Sequence, residues 1–257
     1  MTSWINILAQ SQRGDKHYNL GMSTIERLAR ESLGLQLTSR QVKAFSTYER
    51  ELLVWNQRIS LTAINDPEMI RIKHFLDSLT CLEAMRHSHF ETIIDIGTGA
   101  GFPGIPLKIV CPAIRLTLVE SVGKKADFCN HLVEKLELSN VEVINERVET
   151  VARLDLYREQ YDWALARAVA GLPVVAEYLI PLVKIGGAAL AMKGENAHQE
   201  AHQAQNAIHI LGGHLRQLIP VELPKVAEDH YLVIMDKISA TPERYPRRVG
   251  KPVKTPL

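Results

Sequence analysis

The run Thr92-Ile-Ile-Asp-Ile-Gly-Thr-Gly-Ala-Gly101 is a short apolar strand that passes straight into a turn with glycines at 97, 99 and 101. Alternate glycines permit positive φ and let the backbone approach a ligand closely, beside the amide-rich start of the helix that follows. A small adenosine-containing cofactor fits such a turn. Read in a later phase, Gly99-Ala-Gly-Phe-Pro-Gly104 also satisfies the G-x-G-x-x-G dinucleotide pattern, so the glycines alone leave a nicotinamide cofactor and S-adenosylmethionine both open. Asp95, two residues ahead of Gly97, tips the balance, because a carboxylate at a strand end suits the cationic methionine part of S-adenosylmethionine better than a pyrophosphate. Glu120, at the end of the next strand, can accept both ribose hydroxyls and supports an adenosine in either cofactor.

Outward from this turn the pattern alternates short β-rich runs with helical stretches, as a parallel α/β sheet requires. The strands are expected at Thr92 to Gly97, Arg115 to Ser121, Val141 to Glu146, Tyr161 to Ala168 and Ala188 to Lys193. His214 to Val221 and His230 to Ile238 are expected to pair as an antiparallel edge. Lys124 to Leu138 and Pro173 to Val183 read as crossover helices, and Asn196 to Leu211 as an outer one. Before the sheet, Thr38 and Gln41 form a capping box for a helix running toward Arg58, and Asp66-Pro67 starts a second helix that reaches about Met85.

The whole-chain numbers bound the function. With 257 residues, 46% of them hydrophobic, the chain can bury a sizeable core in one main domain with a helical attachment. No run approaches the ~18 apolar residues of a membrane span and no signal-peptide core is present, so a cytoplasmic protein is expected. Cys81, Cys111 and Cys129 are odd in number and widely spaced, which excludes a disulfide framework or a Cys-x-x-Cys metal pair, and no metal site is expected. The net charge is only +1, yet from Ser239 onward Arg244, Arg247, Arg248, Lys251 and Lys254 face a single acid, Glu243. Pro246, Pro252 and Pro256 are expected to keep this tail extended, a phosphate-contacting arm whose loss leaves cofactor affinity unchanged.

The chain resembles the bacterial small-subunit rRNA methyltransferase G family, also called glucose-inhibited division protein B. The residues that carry the resemblance are Asp95-Ile-Gly-Thr-Gly-Ala-Gly-Phe-Pro-Gly-Ile-Pro-Leu107, Leu118-Val-Glu-Ser121 with Lys124-Lys125, Arg147-Val-Glu149, Ala166-Arg-Ala168, Lys193-Gly194 and His74-Phe-Leu-Asp-Ser-Leu79. The resemblance runs from about Met22 to Leu257. It implies a class I S-adenosylmethionine-dependent methyltransferase fold: Rossmann-like, doubly wound, with a mostly parallel seven-stranded sheet, an antiparallel C-terminal edge and N-terminal helices. The corresponding division is an N-terminal extension (1–21), a helical subdomain (22–88), the methyltransferase domain (89–238) and the basic tail (239–257). The family's activity is methyl transfer from S-adenosylmethionine to N7 of one guanine near the decoding centre of 16S rRNA, with the rRNA or the small ribosomal particle as partner. A monomer is expected. Carried over to this chain, the family's cofactor contacts fall on Gly97, Phe102, Glu120, Val148, Glu149 and Arg167, and Asp95, Gly99 and Gly101 join them from the turn itself.

Guanine N7 attacks with a lone pair that is already free, so no general base is required and alignment of the reactants is the main task. The segment after the fourth strand, Ala166-Arg-Ala-Val-Ala-Gly171, lacks the Asp/Asn-Pro-Pro-aromatic turn that methylation of exocyclic amines commonly uses, which favours a ring nitrogen. His74 and Asp77 share one helix face and either border the acceptor pocket or hold the N-terminal helices on the sheet. Lys193, at the end of the fifth strand, is a further acceptor-side candidate. Arg147 and Arg167 stand at the carboxyl ends of strands, where open α/β sheets bind ligands. Arg147 and the tail cations Arg247, Arg248, Lys251 and Lys254 are the RNA-binding candidates. The competing functions are an NAD-dependent oxidoreductase, for which no Tyr-x-x-x-Lys pair follows the fourth strand, and a non-catalytic RNA-binding assembly factor.

Overall fold

The computed structural model describes residues 24–257; the extension at 1–21 lies outside the described residues. The described part starts in helix α1 (Thr24–Leu33) and enters α2 (Ser39–Asn56) through the capping box, in which the Thr38 N–H donates to Gln41 Oε1 at 2.8 Å and the Gln41 N–H to Thr38 Oγ1 at 3.3 Å. The same Gln41 side chain donates to the carbonyls of Ile109 and Val110, each at 3.2 Å, and so fastens α2 to the body. Asp66 caps the next helix by accepting from Met69 N at 2.9 Å, with Pro67 in the first turn. That helix is not uniform: α3 (Pro67–Ile70) and α4 (Asp77–Met85) flank a π-helical segment, Arg71–Leu76, which carries His74. Single π turns inside helices occur frequently at functional sites.

The sheet contains β1 (Thr92–Ile96), β2 (Arg115–Val119), β3 (Val141–Ile144), β4 (Tyr161–Arg167), β5 (Val183–Lys193), β6 (Gly213–Val221) and β7 (His230–Lys237), in the order β3-β2-β1-β4-β5-β7-β6. β1 to β5 run parallel, and β7 inserts antiparallel between β5 and β6. This is the fold class the sequence leads one to expect. β5 starts earlier than its apolar run, at Val183, because Gly186, at φ +88°, and Gly187, where a Cβ would lie 2.6 Å from the Asp162 carbonyl oxygen, let the strand stay paired with β4 across an irregularity.

Side-chain alternation divides the strands between two cores. Ile93, Trp163, Leu165 and Leu190 pack with the N-terminal helices, α5 (Gly104–Val110) and α6 (Gly123–Lys135). Ile94, Ala164, Ala189 and Ala191 face α8 (Leu172–Leu179) and α9 (Ala197–Ile210), whose own Ala197, Ala201 and Ala204 allow close approach. A short helix, α7 (Val148–Val151), follows β3. Among the described residues no helix is long and apolar enough to cross a membrane.

The tail corrects an expectation. It does not extend but folds back on the body, with Gly250 in the left-handed conformation at φ +77° starting the helical turn α10 (Lys251–Lys254). Proline is compatible with a first helical turn, where its missing N–H is not needed, so Pro252 does not prevent this. The Arg247 guanidinium is paired with Glu177 of α8 at 2.6 Å.

Candidate functional site

The site lies along the carboxyl edge of the parallel strands, where the order turns from β1 outward to β2 and to β4, the position at which open α/β sheets bind ligands. Its floor is the glycine-rich turn after β1. Asp95 is 0% exposed; its Oδ2 accepts from Thr98 Oγ1 at 2.6 Å and from Gly104 N at 2.8 Å. Burial pushes its carboxyl up to about 6, with the Thr98 and Gly104 bonds opposing. Asp95 therefore braces the turn from beneath through Oδ2, while its Oδ1 is buried with no hydrogen-bond partner. The glycines divide the remaining work. A Cβ on Gly97 would lie 2.9 Å from Val169 Cγ2, and one on Gly101 2.6 Å from Ile105 Cδ1, whereas one on Gly99, at φ +61°, would meet nothing nearer than the Gly97 carbonyl oxygen at 3.9 Å.

Glu120 follows β2 and is buried, with Oε2 accepting from Gly99 N at 2.9 Å and Oε1 from Val122 N at 2.8 Å. It ties two loops together, and since a carboxylate offers about four lone-pair sites, each oxygen keeps capacity for a ribose hydroxyl. Phe102 is 4% exposed, sandwiched by Tyr48 (ring centroids 5.3 Å apart) and His74 (4.7 Å), with the Arg167 guanidinium 4.8 Å from its centroid. Its ring is a wedge between the helices and the turn, not the free face that a ligand contact through the ring would need.

A cavity opens beside the turn, lined among others by Gly97, Arg147, Val148, Glu149, Tyr178 and Val253. Glu149 is 1% exposed. Its Oε1 accepts from Gly250 N at 2.9 Å and from the Tyr178 hydroxyl at 3.3 Å, while Oε2 is buried without a hydrogen-bond partner. With Gly97 in its wall and the unpartnered Glu149 oxygen inside it, the cavity fits a positively charged ligand that donates hydrogen bonds, and Glu120 stands on the adjoining loop after β2.

A second cavity of about 470 Å³ lies on the other side of the loop after β4 and is lined by Lys73, His74, Asp77, Arg167, Lys193 and His230, with others. All three acceptor-side candidates thus meet in one place. Arg167 Nη1 donates to the Lys73 carbonyl at 3.0 Å and to Asp77 Oδ2 at 3.1 Å, and Nη2 lies 3.3 Å from His74 Nδ1. Nδ1 also lies 3.1 Å from the Lys73 carbonyl, and Nε2 is 2.7 Å from Thr62 Oγ1, so both ring nitrogens are engaged by the protein. Burial, reinforced by the Arg167 charge, lowers His74 to about 4 and keeps it neutral. Burial raises the Asp77 carboxyl, against the pull of Arg167. Lys193 bonds the Ala170 carbonyl and pairs with Glu200 at 2.7 Å. The pairing of Lys193 with Tyr231 across β5 and β7 brings His230 to this cavity, a neighbour that the antiparallel edge could have signalled.

Of the RNA-binding candidates, Arg147 is exposed and lines the first cavity, and Arg248, Lys251 and Lys254 are exposed on the C-terminal segment, whose Val253 also reaches that cavity. Arg247 is spent on Glu177 and is withdrawn from that set as a free cation.

The family model described as rRNA small subunit methyltransferase G matches residues 41–225. The chain belongs to the rRNA small subunit methyltransferase G family. Among relatives of that name, one from Pelotomaculum thermopropionicum is 47% identical over 91% of this chain and 98% of its own length. Another, from Roseiflexus, is 47% identical over 87% of this chain and 95% of its own. A solved S-adenosylmethionine-dependent O-methyltransferase from Thermotoga maritima superposes with a TM-score of 0.51 at 15% identity, covering 74% of this chain and 72% of that one, which shows the fold alone. Membership in the methyltransferase G family removes the nicotinamide reading of the turn.

Proposed function

We propose that this chain transfers the methyl group of S-adenosylmethionine to N7 of a guanine in 16S rRNA, acting as a monomer in the cytoplasm on the rRNA or the small ribosomal particle. The observation that carries this reading is that one loop lines both cavities: Arg167 and Ala168 face one, Val169 and Ala170 the other. Donor and acceptor can therefore meet across a single short stretch of backbone.

S-adenosylmethionine supplies, when bound, an electrophilic methyl group on a cationic sulfur. Gly97, Glu120, Val148 and Glu149 would hold it, and the acids at 95, 120 and 149 make this end of the sheet favourable to positive charge. The second cavity suits an acceptor that needs no deprotonation. His74 is neutral, and its two nitrogens are engaged by Arg167 and Thr62, so it fixes the cavity wall and carries no proton away. Arg167 is locked by the Lys73 carbonyl, Asp77 and Phe102, which gives the junction between the cavities a rigid cation that can orient a base or phosphate. Displacement at a sulfonium methyl requires no metal. Arg147, Arg248, Lys251 and Lys254 would meet RNA phosphate.

Calorimetric titration of the purified chain with S-adenosylmethionine and with NAD tests the donor half, and transfer of labelled methyl to small ribosomal particles lacking the modification tests the acceptor half. Binding of S-adenosylmethionine without NAD, and label in 16S rRNA, are expected. NAD binding alone, or no label in rRNA, would overturn the reading.

A further inference from the structure

We infer that the C-terminal segment from Tyr245 to Lys254 is a wall of the cofactor cavity and that Arg247 is a positioning residue, acting on the ligand through Glu149. This rests on the reading that the cavity takes the adenosine part of S-adenosylmethionine. Glu149 is the pivot. Its Oε2 is buried with no hydrogen-bond donor: Arg147 Nε, 3.6 Å away, makes an ion pair with it but lies beyond hydrogen-bond range. A buried carboxylate oxygen without a donor is costly, so in a ligand pocket it calls for an N–H or O–H from the ligand.

The tail aims that oxygen. Gly250 N–H holds the opposite oxygen, Oε1, at 2.9 Å, and the Tyr178 hydroxyl shares it at 3.3 Å. Three residues on, Val253 lines the same cavity. What keeps the segment in place is Arg247, whose backbone N–H, Nε and Nη2 donate to the Glu177 carboxylate at 2.7, 2.9 and 2.6 Å. The Glu177 side chain is 0% exposed, so this pair is a buried anchor and not a solvated surface contact. Two further bonds fasten the lead-in: Arg153 Nε donates to the Pro246 carbonyl at 2.9 Å and Arg158 Nη1 to the Tyr245 carbonyl at 2.7 Å. Glu177 and Tyr178 are neighbours on α8, so one helix supplies both the anchor for the tail and the second donor for Glu149. Releasing the anchor frees the Gly250 amide, and Glu149 then loses the geometry that presents its free oxygen.

The test combines S-adenosylmethionine calorimetry with amide hydrogen exchange on the full chain. Arg247→Met with Glu177→Gln removes the ion pair without stranding a buried charge. Val253→Asp alters the cavity wall at a residue 56% exposed, where the fold has little to lose. In the wild type, S-adenosylmethionine should slow exchange at Gly250. The double variant should bind it about tenfold or more weakly, as loss of a charge-assisted contact entails, and exchange Gly250 faster while β4 keeps its protection. Wild-type affinity in the folded double variant overturns the inference. Should that variant not fold, Val253→Asp decides: weakened binding supports the wall, unchanged binding overturns it. A wild-type chain that binds no S-adenosylmethionine at all overturns the underlying reading, and the inference with it.

Discussion

Gly99 and Gly101 stand two residues apart in one turn, both at positive φ, yet their substitution should fail in different ways. A Cβ at 101 would lie 2.8 Å from the Tyr48 hydroxyl as well as against Ile105, so Gly101→Ala should lose folding stability on the order of 2 kcal/mol in urea denaturation, through overpacking and backbone strain. A Cβ at Gly99 would meet nothing nearer than the Gly97 carbonyl oxygen at 3.9 Å, so Gly99→Val should strain the turn at φ +61° without overpacking the core and should abolish S-adenosylmethionine binding; unchanged affinity in the folded variant would contradict the pocket's location. Asp95 adds a pH signature. Its folded-state pKa is raised to about 6 from an ordinary 3.8, so its contribution is present at low pH and disappears as pH rises through that range. The stability of the wild type relative to Asp95→Asn should therefore fall by on the order of 2 kcal/mol between pH 4 and pH 6. His74, lowered to about 4 from 6.5, has the opposite sign: its contribution is lost as pH falls across that interval. Equal pH dependence of denaturation in the wild type and Asp95→Asn would show that the carboxyl is not perturbed.

At the scale of elements, the tail decides the most. Arg248, Lys251 and Lys254 remain exposed while Arg247 is held in an ion pair with buried Glu177, so replacing those three with serine should flatten the plot of log affinity against log salt for the small particle by about 2 to 3 units. Equal slopes would leave the segment with no phosphate contacts. Most elements were legible beforehand because their signals are local: Thr38 with Gln41, Asp66 with Pro67, and the apolar runs of the strands all act within a few residues. The tail was misread because its prolines and charges look solvated in isolation. Its conformation depends on Glu177, which is 70 positions away in sequence and gives no sign on its own helix of being a buried partner. The π segment at Arg71–Leu76 left no mark on the apolar spacing, and β5 looked shorter because Gly186 and Gly187 interrupt it.

For the molecule as a whole, the glycine-rich turn, Glu120 and Arg167 were readable as candidates from residue type at strand ends, whereas Glu149 came from the family resemblance alone. Their division of labour was not readable. Asp95 and Phe102 are buried and brace the turn, and Tyr48, Lys73, Tyr178 and His230 come to this region because the sheet order and the N-terminal helices bring distant segments together. Under the proposed function, two cavities separated by one loop, with a neutral His74 and a locked Arg167 at the junction, would align a nucleophile already carrying a free lone pair. The identity of the methylated nucleoside tests this most directly. Small particles lacking the modification are incubated with the chain and labelled S-adenosylmethionine, and the 16S rRNA is digested to nucleosides and separated. Label in 7-methylguanosine alone is the expected result; label in an amine-methylated or C5-methylated nucleoside would contradict it, because either requires deprotonation or a nucleophile that the acceptor cavity is not built to provide.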